Sequence, residues 1–285
     1  MTEQMIRAGE AELCVETFGE AGDPAVLLIA GVAMSMDAWP PDFCRRIAGA
    51  GRFVIRYDHR DTGRSSTAPA GEPDYSALDL FTDPLRIQDA LGVDRAHLVG
   101  LSMGGAIAQV MAHLHPDRVA SLTLISTSPA GERSSSDALP GPVAALAEHL
   151  REPGPDPDWD DRAAVIDYIV EDYRHYAGTL GFDEQSVRRV TGQTLDRTRD
   201  IAAGRKNHWI AAAGGESPSF RLADLPGPAL ILHGTADPLF PLPHGEALAA
   251  EIPGATFVPL EGMGHEVPPP ALWDLVVPAI VEHTA

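Results

Sequence analysis

Short apolar segments bounded by turn residues recur along the chain, and helical patterns separate most of them. A short continuous apolar run is typical of a strand buried on both faces, so its alternation with helices predicts an α/β fold with a mostly parallel sheet and helices on both faces. The predicted strands are residues 13–17, 25–29, 53–57, 96–99, 122–125, 229–232 and 256–260. The predicted helices are residues 41–50, 84–91, 105–115, 244–251 and 270–282.

The second predicted helix has a defined start in the sequence, because Asp83 directly precedes Pro84. An aspartate can accept hydrogen bonds from the free amides of a helix N-terminus. Proline suits the first helical position, where its missing N–H is not needed. The pair therefore predicts a helix that begins at Pro84.

The strand pattern stops near residue 129 and resumes at residue 229. Between them lie breaks rich in glycine, proline and aspartate, and predicted helices at residues 161–175 and 183–199. We therefore predict a core formed by residues 1–128 and 223–285, with a helical cap of residues 129–222 over the carboxyl edge of the sheet, where α/β folds bind ligands. The alternative is a solvated helical excursion that is unrelated to the site.

The net charge of the chain restricts the classes of molecule that it can bind. The sequence has 41 acidic and 21 basic side chains, a formal net charge of −20 at pH 7, and a single lysine, Lys206. Such a field repels polyanions, so neither nucleic acid nor an anionic membrane is an expected partner. Hydrophobic residues make up 44% of the chain, which is the share of a globular protein with a sizeable core.

The two cysteines, Cys14 and Cys44, are too few for a disulfide scaffold and lack the paired spacing of a zinc or iron–sulfur site. We expect them to be packing residues, and we expect no metal. The first ten residues contain no apolar run typical of a signal peptide, and no segment reaches the length of a membrane span. A cytoplasmic location is therefore expected.

The strongest chemical signal is Gly100-Leu101-Ser102-Met103-Gly104, between the strand predicted at 96–99 and the helix predicted at 105–115. In this context Gly-x-Ser-x-Gly is typical of a nucleophile elbow, a tight strained turn that projects the serine hydroxyl into a cleft. A glycine turn with an incidental serine is the alternative. The sequence therefore indicates Ser102 as a nucleophile.

A serine hydroxyl needs a base that removes its proton and a group that orients the base. His265 lies in a glycine-rich loop after the last predicted strand, and Asp237 follows the strand predicted at 229–232. The order Ser102, Asp237, His265, on three loops that follow strands, is the order expected for a triad on this type of sheet. Of the other histidines, only His208 is a candidate for contact with a substrate, although a surface position is expected for it.

Acyl transfer also needs N–H donors for the negative charge that develops on the carbonyl oxygen. The amide of Met103, directly after the nucleophile, is one predicted donor. The loop after the strand at 25–29 should supply the second, and we assign it to the amide of Val32, with Gly31 allowing the sharp turn. No cofactor is required for this chemistry.

Six aromatic residues in the predicted cap could stack on a planar substrate. Helical periodicity explains them equally well as packing within the cap. They are Trp159, Tyr168, Tyr173, Tyr176, Phe182 and Trp209.

The chain resembles the α/β-hydrolase superfamily over residues 13–124 and 229–282. Residues 57–65 (YDHRDTGRS), 93–104 (VDRAHLVGLSMG) and 243–245 (PHG) look like segments of the anthracycline methylesterases. The resemblance implies an α/β-hydrolase fold and hydrolysis of a carbomethoxy group on an aromatic polyketide, through Ser102, Asp237 and His265. One departure is Ala30-Gly31, where many members carry His-Gly, so the hydrogen bonds of that histidine are expected to be absent.

Taken together, these features predict a serine carboxylesterase that acts on a small-molecule ester through an acyl-enzyme. Two alternatives stay open. The same triad could cleave a lactone or a carbon–carbon bond next to a carbonyl, and a non-catalytic ligand receptor could retain the scaffold. A strained elbow is of little use to a receptor, which argues against the second alternative.

Overall fold

A computed structural model describes residues 3–214 and 218–285. Within these residues the chain folds around an eight-stranded sheet with the strand order β1-β2-β4-β3-β5-β6-β7-β8. The strands are β1 (Gln4–Ala8), β2 (Ala11–Phe18), β3 (Ala25–Ile29), β4 (Phe53–Tyr57), β5 (Ala96–Leu101), β6 (Val119–Ile125), β7 (Ala229–Gly234) and β8 (Thr256–Leu260). The pairs β1–β2 and β2–β4 are antiparallel and the others are parallel, which confirms the predicted fold class.

The helices are α1 (Pro41–Ala48), α2 (Ala77–Leu91), α3 (Met103–Leu114), α4 (Ala144–Arg151), α5 (Arg162–Arg174), α6 (Glu184–Arg197), α7 (Ile201–Gly214), α8 (Pro243–Glu251) and α9 (Trp273–His283). Both faces of the sheet are covered, one by α2, α3 and α8 and the other by α1 and α9. Alternate residues of β3 point to opposite faces, as the pleat requires. Leu27 and Ile29 belong to the core beneath α2, α3 and α8, whereas Val26 and Leu28 belong to the core beneath α1 and α9.

The predicted start of α2 at Pro84 is wrong, because the helix begins seven residues earlier, at Ala77. Ser76 and Asp79 form a reciprocal capping box, which satisfies the first free amides of the helix. Asp83 caps nothing, since its buried carboxylate accepts two hydrogen bonds from Arg60, at 2.8 and 2.9 Å. Pro84 lies inside the helix, where it removes one backbone hydrogen bond.

The stretch between β6 and β7 holds four helices, α4 to α7. The predictions at 161–175 and 183–199 correspond to α5 and α6, whose caps Asp161 and Asp183 accept hydrogen bonds from first-turn amides. Helices α4 and α7 were not predicted. The two ends of the stretch pair with each other, since Glu132 N–H donates to the Phe220 carbonyl (2.7 Å) and Leu222 N–H to the Glu132 carbonyl (3.0 Å). Division of the chain at 129 and 222 stays a prediction.

Both cysteines are free and buried, and burial raises the pKa of each thiol to about 12. Among residues 3–214 and 218–285, no helix combines the length and the apolar character needed to cross a membrane. The same residues contain no group of three or more His, Cys, Asp or Glu side chains placed to hold a metal ion.

Candidate active site

Strand β5 turns into helix α3 at Ser102, which adopts a left-handed backbone conformation with φ of 52°. Non-glycine residues rarely occupy this region, and such strain is concentrated at functional sites. The turn also needs Gly100 and Gly104. A Cβ at Gly100 would collide with the Gly104 carbonyl, and one at Gly104 would collide with the Ile29 carbonyl. The motif therefore forms the strained elbow that the strand before it and the helix after it predicted.

Three residues far apart in the sequence form one hydrogen-bonded series at this elbow. Ser102 Oγ and His265 Nε2 are 2.9 Å apart, and His265 Nδ1 lies 2.9 Å from Asp237 Oδ2. Asp237 is 3% exposed, and its other oxygen accepts hydrogen bonds from the amides of Leu239 and Phe240, at 2.9 and 2.8 Å. These amides fix the carboxylate, and the carboxylate fixes the Nδ1–H tautomer of His265. Its Nε2 is then free to accept the serine proton.

The loop that carries His265 is held by the segment between α5 and α6. His265 N–H donates to the Tyr176 carbonyl at 2.8 Å. Gly178 and Gly264 approach so closely that a Cβ on either would collide with the backbone of the other loop. The rings of Phe240 and Tyr176 flank the imidazole, with centroids 5.4 and 6.0 Å away. Residues outside the sheet thus fix the orientation of the His265 imidazole.

The two predicted oxyanion donors belong to segments that adjoin Ser102, the start of α3 and the loop after β3. Met103 is the first residue of α3, and the first amides of a helix have no acceptor within it. Val32 follows Gly31 in the loop after β3, and a Cβ on Gly31 would lie 3.6 Å from Ser102 Cβ. The loop of residues 30–33, here called the oxyanion loop, therefore runs beside the serine. Its role as the source of a donor stays a prediction.

Two histidines bind the oxyanion loop, although neither belongs to it. His59 Nε2–H donates to the Ala30 carbonyl at 3.0 Å, and Ala33 N–H donates to His208 Nδ1 at 3.0 Å. Position 30 is alanine, so the bonds that a histidine there would make are absent, and His59 and His208 hold the loop from other elements instead. The surface position expected for His208 was wrong, because α7 packs on the loop after β4 and buries this side chain completely.

Burial lowers the pKa of His59 to about 3 and also lowers the pKa of His208. Because unfolded His59 binds its proton near pH 6.5, the unfolded chain gains protons first as the pH falls. The free energy of unfolding should therefore decrease below about pH 6.5, by about 1.4 kcal/mol per pH unit for His59 alone. Above about pH 6.5 the contribution of His59 to the free energy of unfolding is constant.

The His59→Gln variant isolates this contribution, since the glutamine amide retains a donor toward the Ala30 carbonyl and does not titrate. Urea unfolding of both proteins between pH 7.5 and 4.5 measures the two slopes. We expect a shallower slope for the variant. Equal slopes would contradict the assignment of a buried neutral His59.

A cleft of about 190 Å³ leads away from His265. Its walls include three of the six candidate aromatic residues, Tyr173, Tyr176 and Phe182. Met34 and the residues that follow His265 also line the cleft. Of the other three candidates, Trp159 and Tyr168 pack against each other with centroids 5.8 Å apart, and Trp209 is 57% exposed. The cleft is mainly apolar. Its lining includes the partly buried Glu266, and burial raises the pKa of this carboxyl group.

A charged cluster joins α6 to the loops beneath the site. Arg197, at the end of α6, donates to both oxygens of the fully buried Asp58, at 3.2 and 2.8 Å. It also donates to Asp37 at 2.6 Å and to Glu3 at 3.0 Å. Asp58 Oδ1 additionally accepts from the amide of Met36, and Oδ2 from the amide of Arg64. Asp58, in segment 57–65, is thus the centre of a buried polar network.

The comparisons with known proteins agree with this architecture. Residues 24–269 match the family model described as alpha/beta hydrolase fold. The chain is 35% identical to rhodomycin D methylesterase DauP of Streptomyces sp. (strain C5) and 32% identical to rhodomycin D methylesterase DnrP of Streptomyces peucetius. Each alignment covers 100% of this chain and 98% of the relative.

Solved structures give the same assignment. A hydrolase from Pseudomonas aeruginosa PA01 is 26% identical, superposes with a TM-score of 0.69, and the alignment covers 99% of this chain and 96% of that one. The resemblance inferred from segments 57–65, 93–104 and 243–245 is confirmed. The chain belongs to the alpha/beta hydrolase fold family.

Proposed function

We propose that this protein is a serine carboxylesterase that hydrolyses a methyl ester on an aromatic polyketide. The observation that carries the proposal is the hydrogen-bonded series of Ser102, His265 and Asp237 beside an apolar cleft. The two relatives with the name rhodomycin D methylesterase, similar over the whole chain, support the methyl ester as the substrate class. The net charge of −20 argues against a polyanionic substrate.

In the proposed acylation step, His265 removes the proton of Ser102 while the serine oxygen attacks the ester carbonyl. Asp237 stabilises the imidazolium cation that forms. The amides of Met103 and Val32 donate hydrogen bonds to the developing oxyanion, a contribution that is usually the largest single electrostatic effect in acyl transfer. His265 then gives its proton to the departing methoxide, and methanol leaves.

Deacylation reverses the roles of the same groups. His265 removes a proton from a water molecule, which attacks the acyl-enzyme carbonyl, and then returns the proton to Ser102. The products are the free carboxylic acid and the unchanged enzyme. These steps use protein side chains, amides and water, so we propose that no cofactor takes part.

Residues 129–222 act in this proposal as a cap that selects the substrate. Tyr173, Tyr176 and Phe182 supply flat apolar walls, which suit a planar ring system. The hydrogen bond from His265 to the Tyr176 carbonyl links the cap to the base itself. We also infer a cytoplasmic location, which the two free buried thiols support.

Methanol release tests the proposed substrate class. The wild type is incubated with a carbomethoxy-bearing aromatic polyketide, with p-nitrophenyl acetate and with p-nitrophenyl octanoate, and the Ser102→Ala variant is the blank. We expect methanol and the free acid from the polyketide faster than cleavage of the simple esters. Cleavage of the simple esters alone would indicate a general carboxylesterase. Cleavage of a matched diketone, with no ester turnover, would assign the triad to a carbon–carbon bond.

The Asp237→Asn variant tests the role of the carboxylate. Asparagine keeps an oxygen for the amides of Leu239 and Phe240 but turns an NH₂ group toward His265 Nδ1. The imidazole must then carry its proton on Nε2, where it can no longer accept the proton of Ser102. We expect kcat to fall about 10⁴-fold with little change in KM. A fall of less than about 10-fold in steady-state assays at pH 7.5 would contradict this role.

A further inference from the structure

Helix α7 buries a polar stripe against the core. Its residues Gly204, Asn207, His208 and Ala211 follow the i, i+3, i+4, i+7 spacing of one helix face, and all four are buried. A Cβ at Gly204 would lie 2.7 Å from the Asp61 carbonyl oxygen, so only glycine allows α7 this close approach. Two neighbouring polar residues of the stripe therefore reach the loops of the core.

His208 joins two of these loops through its two ring nitrogens. Nε2–H donates to the Arg60 carbonyl at 2.7 Å, and this bond leaves Nδ1 as an acceptor. Nδ1 accepts from Ala33 N–H at 3.0 Å. Burial lowers the pKa of this imidazole, in agreement with a neutral ring that has one donor and one acceptor.

The partner of His208 has an unusual backbone conformation. Ala33 has a φ of 59°, a left-handed conformation that costs a residue with a side chain about 1 kcal/mol or more. Such a residue stays in place only where its surroundings hold it. The hydrogen bond to Nδ1 holds the Ala33 amide, and Ala33 directly follows Val32.

We propose that His208 is a positioning residue that holds the oxyanion loop in its active conformation, so that the Val32 amide points toward the carbonyl oxygen of the substrate. This inference rests on the proposed serine-esterase function. Without an acceptor at Nδ1, the Ala33 peptide can rotate out of its left-handed conformation, and the Val32 peptide moves with it. The loss then falls on charge stabilisation in the transition state, and so on kcat more than on KM.

Two substitutions separate the two hydrogen bonds of His208. In His208→Asn, the side-chain oxygen can take the place of Nδ1 and accept from Ala33, while the bond to Arg60 is lost. In His208→Gln, the amide nitrogen can take the place of Nε2 and donate to the Arg60 carbonyl, while the acceptor for Ala33 is lost. Both variants remove the ring, so they serve as controls for each other.

Asn207→Ala is the structural control. Asn207 is as fully buried as His208, and it bonds to Asp61 (2.8 Å), the Pro69 carbonyl (3.1 Å) and the Gly71 amide (2.7 Å). None of these partners belongs to the oxyanion loop. Its loss should lower the melting temperature and leave the reactivity of Ser102 close to that of the wild type.

The measurements are kcat and KM for p-nitrophenyl acetate, the rate of Ser102 labelling by a fluorophosphonate, and the melting temperature. For His208→Gln we expect kcat and the labelling rate to fall roughly 10- to 100-fold, less than the loss of an oxyanion donor itself, with little change in KM. His208→Asn should retain much more of both rates at a similar melting temperature.

Equal losses in the two His208 variants, or a loss of the same size in Asn207→Ala, would overturn the positioning role and leave the proposed function intact. A folded wild type that is not labelled at Ser102 and cleaves no ester would overturn the proposed function itself. Labelling does not depend on the natural substrate, so the two failures are distinguishable.

Discussion

Replacement of Ser102 by alanine is expected to lower kcat for ester hydrolysis by about 10⁶-fold, the scale seen when a triad nucleophile is removed. In the proposed mechanism, Ser102 Oγ forms the bond to the acyl group, and this is the atom that the substitution removes. The substitution deletes one atom and leaves the Ser102 backbone contacts, which include the hydrogen bond from Thr127 to its carbonyl at 2.8 Å. The variant should therefore fold as the wild type does.

Combination with His265→Ala provides a sharper test. Residues that act as one unit have non-additive effects, so the double variant should be no slower than either single variant. Product formation is followed over hours with a sensitive chromogenic ester, and circular dichroism verifies the fold. A folded Ser102→Ala protein with turnover within about 10-fold of the wild type would remove Ser102 from the mechanism.

Replacement of Arg197 by methionine is expected to lower the free energy of unfolding by about 3–5 kcal/mol at pH 7. Only 11% of the Arg197 side chain is exposed, and it faces three carboxylates, one of which, Asp58, is fully buried. Methionine retains much of the apolar contact but leaves the carboxylate of Asp58 without its cation. The uncompensated buried charge is the source of the large effect.

Arg162→Met is the matched control, because its partner Asp196 is the residue directly before Arg197 on α6. Arg162 pairs with Asp196 at 2.8 Å, but the two side chains are 51% and 66% exposed. An ion pair in this environment contributes about 0–1 kcal/mol, so the control should unfold close to the wild type. Urea denaturation of the three proteins measures the difference. Similar losses for the two variants would show that Arg197 contributes no more than a surface charge.

The elements predicted correctly are those whose sequence pattern lies within one contiguous segment of the chain. Strands β3 and β4 were predicted with the bounds that the structure has, because continuous apolar runs end at turn residues. The elbow at Ser102 was predicted because the strand, the glycines and the helix are contiguous in the chain. Strand β1 was missed because only Ile6 and Ala8 of its five residues are buried.

Partners distant in sequence explain the remaining differences. Helix α7 was not predicted because its buried face combines alanines with a glycine, an asparagine and a histidine, and no large apolar side chain marks it. His208 meets Ala33 across 175 positions of the chain, and Arg197 meets Asp58 across 139. The hydrophobic periodicity of a local segment cannot predict a contact between residues so far apart in the sequence. The position of the loop after β3 was predicted correctly. The residues that hold this loop, His59 and His208, were not predicted to do so.

The paired ends of the stretch between β6 and β7 bear on how such a protein can change during evolution. β6 and β7 are adjacent parallel strands, and Glu132 pairs with Phe220 and Leu222 where the chain leaves and re-enters the core. A segment with closed ends can be lengthened, shortened or exchanged at a small entropic cost, which grows only with the logarithm of its length. A transplanted segment would still need to supply an acceptor for the Ala33 amide and a cation for Asp58. Under the proposed function, exchange of the segment at these two junctions would give a working enzyme with a new substrate range only if the new segment also carried residues equivalent to His208 and Arg197.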